Sequence, residues 1–531
     1  MSLIAHLADI LEESRAEYEK IMHGAAGTAF RVDSLFGVRS MQMNNENALN
    51  ADLCGNMLAS GDNTAFMRYL MQEKDMTGKV QLIYIDPPFF SKANYGSDIK
   101  LSSEKLGKIP PMRQIAYTDS WQDGTAEYLK MLCVRFYMMY DLLADEGCLW
   151  VHLDWHIVHY IKVLLDEIFG EKNFINEVIW NYKSGGSSKK HYARKHDTLL
   201  FYAKSPHYYF EAQKEKSYNR GYKPYRFKGV KEYRDEKGWY TMVNMKDVWQ
   251  LDMVGRTSSE RTGYATQKPE ALIERILGSC TREGDIVCDF FGGSGTLASA
   301  AEKMKRKWIY CDLGSFAAAS AKKRLVKSGS CFSVLVQEDL NEGESDFSAL
   351  GQKGIDESVY GGKEKACTNS VSVGCGGRNA ENTCDIDVRA QIAEAGVLGG
   401  TDVCCATGVS YSRADRNENL LLTVALTGYN TNENSQIPVD ERNLKILHSA
   451  MNKDPLRFID FWSVDYSYDG KIHRADEVFL RDKEQLQLAA SHIVHRKYSN
   501  GELKCNDEYG IVISVKAHDI FGNTAERILS I

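Results

Sequence analysis

No stretch of these 531 residues approaches the length and apolarity of a membrane span. Residues Met1 to Lys20 carry acids within their apolar pattern, which reads as neither a signal peptide nor a transit peptide. The 13 cysteines form no C-x-x-C pair, so a disulfide framework is disfavoured and reduced thiols in a cytoplasm are expected. Overall positive charge is missing too. The formal net charge is −7, which excludes a uniformly basic nucleic-acid binder and leaves any such role to a local patch. Gly-Lys-Ser/Thr is also absent, which argues against a nucleoside-triphosphate cradle.

What is there has the balance of a globular chain, 43% apolar and 26% charged, and is too long for one ordinary core. Two or three domains are expected. The most informative stretch is Leu82-Ile83-Tyr84-Ile85-Asp86-Pro87-Pro88-Phe89-Phe90. An apolar, β-branched run reads as a buried parallel strand, and two prolines end it. Asp86 is left at the carboxyl end of that strand, where open α/β sheets place their ligands. A strand end with a capping acid would be the plain reading of Asp86 alone. The rigid turn and ring behind it make the set more specific.

A second anchor is Asp289-Phe290-Phe291-Gly292-Gly293-Ser294-Gly295-Thr296, which reads strand, glycine turn, helix. An acid just before the glycines fits a cofactor bearing an ammonium group better than one bearing a pyrophosphate. The next strand, Trp308–Cys311, ends in Asp312, placed as in Rossmann folds to bind ribose hydroxyls. Both features suit S-adenosylmethionine. Upstream, Lys268 precedes Pro269 and a helix start, where it could meet the carboxylate of such a donor or simply stand at a helix entry.

Between the anchors, residues 181–238 carry 15 Lys/Arg against 6 Asp/Glu, a local net of +9, interleaved with tyrosines and phenylalanines. A solvated face is one reading; phosphate contacts plus base stacking fit the pattern better. Lys189, Lys190 and Lys195 are candidates for phosphates, and Arg220, Arg226 and Arg234 for base edges. Ser91 to Trp121 reads as a long polar loop that could cover the site. His152, His156 and His159 invite a zinc reading, but no carboxylate or cysteine in the pattern completes a tetrahedral set with them, and structural roles are expected. The same holds for Cys367, Cys375, Cys384, Cys404 and Cys405: no metal is expected.

Taken together, Gly61-Asp62, Asp86-Pro87-Pro88-Phe89, Gln267-Lys268-Pro269 and the glycine turn resemble, in this order, the β-group of DNA amino-methyltransferases. That group includes free-standing adenine methyltransferases and the modification subunits of type III restriction systems. The resemblance implies an α/β fold: a doubly wound, permuted Rossmann-like sheet with a basic insert and a smaller β-rich C-terminal domain. Residues 1–50 would be a helical extension, 51–330 the methyltransferase domain with a DNA-recognition insert at 181–250, 331–414 a cysteine-containing linker and 415–531 the C-terminal domain. It also implies roles. Asp86, Pro87, Pro88 and Phe89 would act on the N6 amine of a flipped-out adenine in double-stranded DNA. Asp62, Lys268, Asp289, Phe291, Gly292, Gly293, Ser294, Gly295, Thr296 and Asp312 would hold S-adenosylmethionine. A restriction subunit or a second copy of the chain are the further partners the resemblance admits. An RNA or protein amino-methyltransferase, and a non-catalytic DNA-binding subunit, remain the alternatives.

Overall fold

A computed structural model describes residues 3–24, 28–37, 55–91, 94–99, 101–103, 105–109, 111–119, 124–183, 187–339, 384–394, 419–431, 439, 441–482, 485–495 and 512–530. Two compact units divide the chain, the first made of residues 1–25, 29–99 and 113–338, the second chiefly of 339–531.

The first unit is built on a central sheet. Its strands are β1 (Thr28–Phe36), β2 (Met57–Ser60), β3 (Val80–Ile85), β4 (Leu143–Leu153), β5 (Phe174–Asn181), β6 (His196–Ala203), β10 (Val248–Gln250), β11 (Ile286–Asp289), β12 (Lys307–Asp312) and β13 (Phe332–Asp339), with β7 (Lys214–Tyr218), β8 (Glu232–Asp235) and β9 (Gly238–Asn244) forming a separate small sheet. Across the central sheet the order is β10-β5-β6-β4-β3-β11-β12-β2-β13-β1. From β4 to β13 neighbours pair in parallel, whereas β6 runs antiparallel to both β4 and β5. Every residue of β3 is buried, as a central parallel strand covered on both faces requires.

Helices cover the sheet: α1 (Leu7–His23), α2 (Asn63–Gln72), α3 (Gly124–Leu142), α4 (Val158–Phe169), α5 (Glu270–Cys280), α6 (Thr296–Lys303) and α7 (Ser315–Lys327). α1 docks on α3, where Ser14 Oγ donates to the Lys130 carbonyl and the Tyr18 hydroxyl reaches Asp141. Among the described residues no helix is long and apolar enough to cross a membrane.

The sheet reaches beyond the span 51–330 on both sides. β1 adds a strand where a helical extension was expected, and β13 adds one past residue 330. Both take their place from strands distant in sequence, β13 lying between β2 and β1. Residues 91–121, expected as a loop, include a two-stranded ladder of Asn94–Ile99 with Met112–Thr118.

The second unit is β-rich. β14 (Cys384–Glu394), β15 (Asn419–Thr431) and β18 (Ala489–His495) make one antiparallel sheet. β16 (Ile459–Asp465), β17 (Glu477–Leu480), β19 (Val512–Asp519) and β20 (Thr524–Ser530) make another, and α8 (Glu441–Lys453) precedes β16. Asp519 closes the β19–β20 turn by accepting the N–H groups of Phe521 and Asn523 at 2.9 and 2.8 Å. Of the cysteines considered for zinc, Cys384 is buried in β14; Cys367, Cys375, Cys404 and Cys405 lie outside the described residues. Among the described residues no group of three or more His, Cys, Asp or Glu is arranged to hold a metal.

Candidate active site

From β3 the chain continues through α3 to β4 on one side; from β11 it continues through α6 to β12 on the other. β3 and β11 are neighbours, so the crevice between them is the topological switch point of the sheet. The strand order brings the carboxyl ends of β4, β3, β11, β12 and β2 into a row carrying His152, Asp86, Asp289, Asp312 and Asp62. Gly61 N–H donates to the Asp312 carbonyl at 3.1 Å, which fixes the Asp62 end of that row.

The stretch after β3 is held rigidly. Pro87 and Pro88 follow Asp86 directly, and the Tyr128 hydroxyl donates to the Pro88 carbonyl. Phe90 sits at φ 60°, a conformation that costs a bulky residue roughly 1–3 kcal/mol and persists only where its surroundings enforce it. Buried Asp119 enforces it, accepting Phe90 N–H at 2.9 Å and Ser91 N–H at 2.7 Å. Burial pushes the Asp119 carboxyl up, and those donors only partly offset this.

One Asp86 oxygen, Oδ2, pairs with the Lys268 ammonium. The other, Oδ1, is buried and receives no hydrogen bond among the described residues. The Lys268 ammonium also stands 5.1 Å from the centre of the Phe89 ring, and that ring lies 5.8 Å from the His152 imidazole. Lys268, read from the sequence as able to meet a donor's carboxylate or to stand at a helix entry, here pairs with the acid that ends β3.

On the β11 side, Asp289 accepts Phe291 N–H at 3.0 Å and is almost wholly buried. Burial drives its carboxyl well above the usual range; the Phe291 donor and the Lys268 charge oppose this, and nearby Asp86 and Asp312 add to it. Asp312 accepts Gly314 N–H through one oxygen and Gly293 N–H through the other, both at 2.8 Å. The glycine turn needs its glycines. A Cβ on Gly292 would stand 2.1 Å from the Tyr310 ring, and Gly295 has φ 71° as it enters α6. Beside Gly293, Tyr264 and Phe316 stack at 5.7 Å. Ser294 and Thr296 face inward, where the Arg324 guanidinium donates to the Ser294 carbonyl and the Thr296 hydroxyl, both at 3.2 Å.

Asp62 caps α2: its Oδ1 accepts Thr64 and Ala65 N–H, both at 2.9 Å, while Oδ2 faces Arg135 at 3.3 Å. The basic candidates fall into two places. Lys189, Lys190 and Lys195 lie on the segment before β6, the first two exposed. Arg220, Arg226 and Arg234 are exposed on the β7–β9–β8 sheet and its loop. Glu232 shapes that loop by accepting Tyr225 and Arg226 N–H at 2.7 and 2.9 Å.

Several residues at the site were not singled out for it from the sequence. His152 was weighed only as a zinc ligand; it is buried, bonded to the Tyr84 hydroxyl and to Asp197. His156 pairs with Asp154 at 2.7 Å instead. Glu270, at the start of α5, is a buried hub joining Ser299, Lys303 and Arg324. Burial pushes its carboxyl up, but those donors outweigh it and hold it below the usual range. The position of His152 at the end of a strand was the one available signal.

Comparison with known proteins bears on this edge directly. A family model described as DNA methylase matches residues 80–323, from the start of β3 into α7. The type II methyltransferase M1.MboII of Moraxella bovis is 30% identical over 256 residues, covering 44% of this chain and 85% of that protein. The chain belongs to the DNA methylase family. A second relative of this DNA methylase, the type II methyltransferase M.EcaI of Enterobacter cloacae, is 27% identical over 341 residues, covering 53% of this chain and 72% of its own. Among solved structures, the M1.HpyAVI–SAM complex overlaps 51% of this DNA methylase and 98% of that chain, at 19% identity and a TM-score of 0.31. The family match takes in both anchors of the site and the basic insert between them.

Proposed function

We propose that this DNA methyltransferase acts on the N6 amine of adenine in double-stranded DNA, with Asp86-Pro87-Pro88-Phe89 as its catalytic residues. The observation that carries this reading is Asp86 Oδ1, a buried acceptor at the switch point of the sheet that has no hydrogen-bond partner among the described residues. A buried acceptor left unpaired costs about 1–3 kcal/mol, so it is suited to a donor that arrives with substrate. An exocyclic amine is such a donor, and its own lone pair is delocalised into the ring. Accepting its hydrogens at Asp86 and at the Pro87 carbonyl pulls the nitrogen towards tetrahedral geometry and frees the pair. Phe89 offers a flat apolar face on which a flipped-out base can stack. Asp at the first position of the motif, rather than the Ser commoner in cytosine-N4 relatives, supports adenine.

S-adenosylmethionine is the methyl donor, supplying when bound an electrophilic methyl group on a sulfonium. The β11–β12 edge fits it. Asp289 presents a buried carboxyl suited to an ammonium group, Asp312 is held by two backbone donors beside the glycine turn, and the glycines leave no side chain in the way. Asp62, Lys268, Phe291, Gly292, Gly293, Ser294, Gly295 and Thr296 complete the proposed binding set. For DNA, Lys189, Lys190 and Lys195 would neutralise phosphates, and Arg220, Arg226 and Arg234 would reach base edges. Alignment of amine and methyl, rather than covalent or metal chemistry by the chain, is what these residues contribute.

The test is transfer of tritiated methyl from S-adenosylmethionine to unmethylated duplex DNA, followed by hydrolysis to nucleosides. Label in N6-methyl-2′-deoxyadenosine is expected. Label in N4-methylcytosine would overturn the adenine assignment.

A further inference from the structure

Behind Asp86 lies a hydrogen-bonded chain that methyl transfer as described leaves unused. His152 is fully buried, its ring edge-on to Trp180 at 5.4 Å and 5.8 Å from Phe89. Its Nε2 lies 3.2 Å from Asp197 Oδ2, and the Tyr182 hydroxyl donates to Asp197 Oδ1 at 3.1 Å. Its Nδ1 lies 2.9 Å from the Tyr84 hydroxyl and 4.0 Å from Asp86 Oδ1.

The tautomer follows from the partners. Burial pushes Tyr84 well above the ordinary phenol range, and the charges of Asp86, Asp289 and Asp197 push the same way, so its hydroxyl keeps its proton and donates. Burial pushes Asp197 up, but the hydrogen bonds from His152 and Tyr182 and the nearby Lys268 charge oppose it, and the carboxyl lies below its usual range. Asp197 is therefore an acceptor. Nε2 carries the hydrogen, and the basic lone pair of Nδ1 is on the side of Asp86. This is the arrangement of a base oriented by a carboxylate.

We propose that His152, oriented by Asp197, receives through Asp86 the proton that the target amine loses. The inference rests on the reading of Asp86 as the acceptor of the amine. As the nitrogen–methyl bond forms, the carbon–sulfur bond breaks with its electron pair on sulfur. The N–H pair stays on nitrogen and the proton passes to Asp86 Oδ1. From there it moves to His152 Nδ1, while the Tyr84 hydroxyl turns away from that nitrogen. The 4.0 Å gap must close by roughly 1 Å for a direct hydrogen bond. Asp197 stabilises the imidazolium, which returns its proton to water by way of Asp86, whose side chain is 19% exposed, once the methylated base has left the crevice. Without such a path, Asp86 would finish each turnover protonated beside Asp289, in a crevice with no other base adjacent to Oδ1 among the described residues. His152 acts through Asp86, so it is a positioning residue.

The titratable and charged groups around the imidazole are Asp86 and Tyr84 from β3, Asp197 from β6, Tyr182 past β5 and Lys268 before α5, with Asp289 beyond. Single-turnover and steady-state methyl transfer to duplex DNA across pH test the assignment, with donor binding by calorimetry as the check that each variant is folded. In the wild-type chain the rate should show an acid limb, because a His152 that already carries the proton cannot accept the one passed on by Asp86. His152→Gln should lose that limb and fall by about 10²-fold in rate, with KM for DNA and for donor unchanged. Asp197→Asn should keep the limb but move it to lower pH, because the imidazolium has lost its counter-charge. A His152→Gln chain that binds donor and reproduces both the wild-type rate and the acid limb overturns the relay. If Asp86→Ala also turns over normally, the reading of Asp86 falls with it; if Asp86→Ala is inactive, the relay alone is wrong. Should His152→Gln fail to bind donor, Asp197→Asn decides: an unmoved limb overturns the proposal.

Discussion

The turn after β3 and the turn after β11 stand side by side on one sheet edge, yet they are built of opposite residues. The first has two prolines and is tied down by side chains from far along the chain, Asp119 on Phe90 and Ser91, and Tyr128 on Pro88. The second has three glycines among five residues; Gly292 N–H donates to the Cys311 carbonyl at 3.0 Å and Gly295 N–H to the Gly292 carbonyl at 2.8 Å, and its side-chain tethers, Asp312, Tyr310 and Arg324, come from β12 and α7. A turn of prolines presents an acid at a fixed strand end. A turn of glycines presents backbone, which a ligand can approach closely. In the proposed function chemistry falls to the first and donor binding to the second, and that division can be broken.

The sharpest break would come at Asp86. Asp86→Ala should lower methyl transfer by about 10³-fold, within the range of a residue acting on a proton in flight, and leave donor binding by calorimetry near wild type. If donor affinity collapses with the rate, the two turns are one functional unit and the division fails. Gly292→Ala should do the reverse. Its new Cβ meets the Tyr310 ring at 2.1 Å, and overpacking of this kind costs roughly 1–3 kcal/mol. Donor affinity should weaken by about 10–100-fold, while the rate at saturating donor stays near wild type. A Gly292→Ala chain with normal donor affinity would mean that the glycines serve packing alone.

How much of this was legible in the sequence differs between the same two turns. Each announces itself locally, because prolines ending an apolar strand and glycines opening a helix are backbone statements made by neighbouring residues. The tethers of the first turn are not local. Asp119 lies 28 residues from Ser91 and Tyr128 lies 40 from Pro88, and nothing in their own surroundings marks them. His152 was visible as a histidine near a strand end, but its partner Asp197 reaches it only through the antiparallel pairing of β6 with β4. Asp62 stood out only through the resemblance, as a residue for the donor; its hydrogen bonds show it capping α2. The extra strands β1 and β13 were missed because their pairing partners are distant in sequence, as with β13 on β2.

A smaller effect extends the comparison to the insert. Exchanging Lys189, Lys190 and Lys195 for glutamine should flatten the slope of log K against log salt by roughly 0.9 for each phosphate no longer neutralised, about 2.7 in all, for duplex DNA. The rate at saturating DNA should hold. Arg234→Ala should instead cost about 1–3 kcal/mol at one base pair of the recognised site and leave the salt slope nearly alone if it reads a base edge. If binding isotherms of the triple variant overlay those of the wild-type chain across salt, the insert is not the phosphate-binding surface.

The smallest expected effect is on stability, and it separates Asp289 from Asp86 once more. Burial holds the Asp289 carboxyl well above the ordinary range, against the pull of Phe291 N–H and Lys268. In the unfolded chain that carboxyl ionises near the usual value, about 3.9. The native chain thus keeps the proton to higher pH than the unfolded chain does. Unfolding then releases it, so the contribution to stability is complete below the ordinary carboxylate range and is lost as pH rises through the native value. Asp312 is shifted in the same direction and remains in both chains, so it cancels in a difference. Asp289→Asn removes the titrating group at nearly constant volume. The Tm of the ligand-free variant should therefore gain on that of the wild-type chain as pH rises from about 4 towards neutrality. Adding S-adenosylmethionine should narrow the gap, because a cation beside the carboxylate favours its charged form. Parallel Tm curves with and without donor would show that Asp289 carries neither the buried proton nor the ammonium group, and the donor's anchor would have to be sought at Asp312.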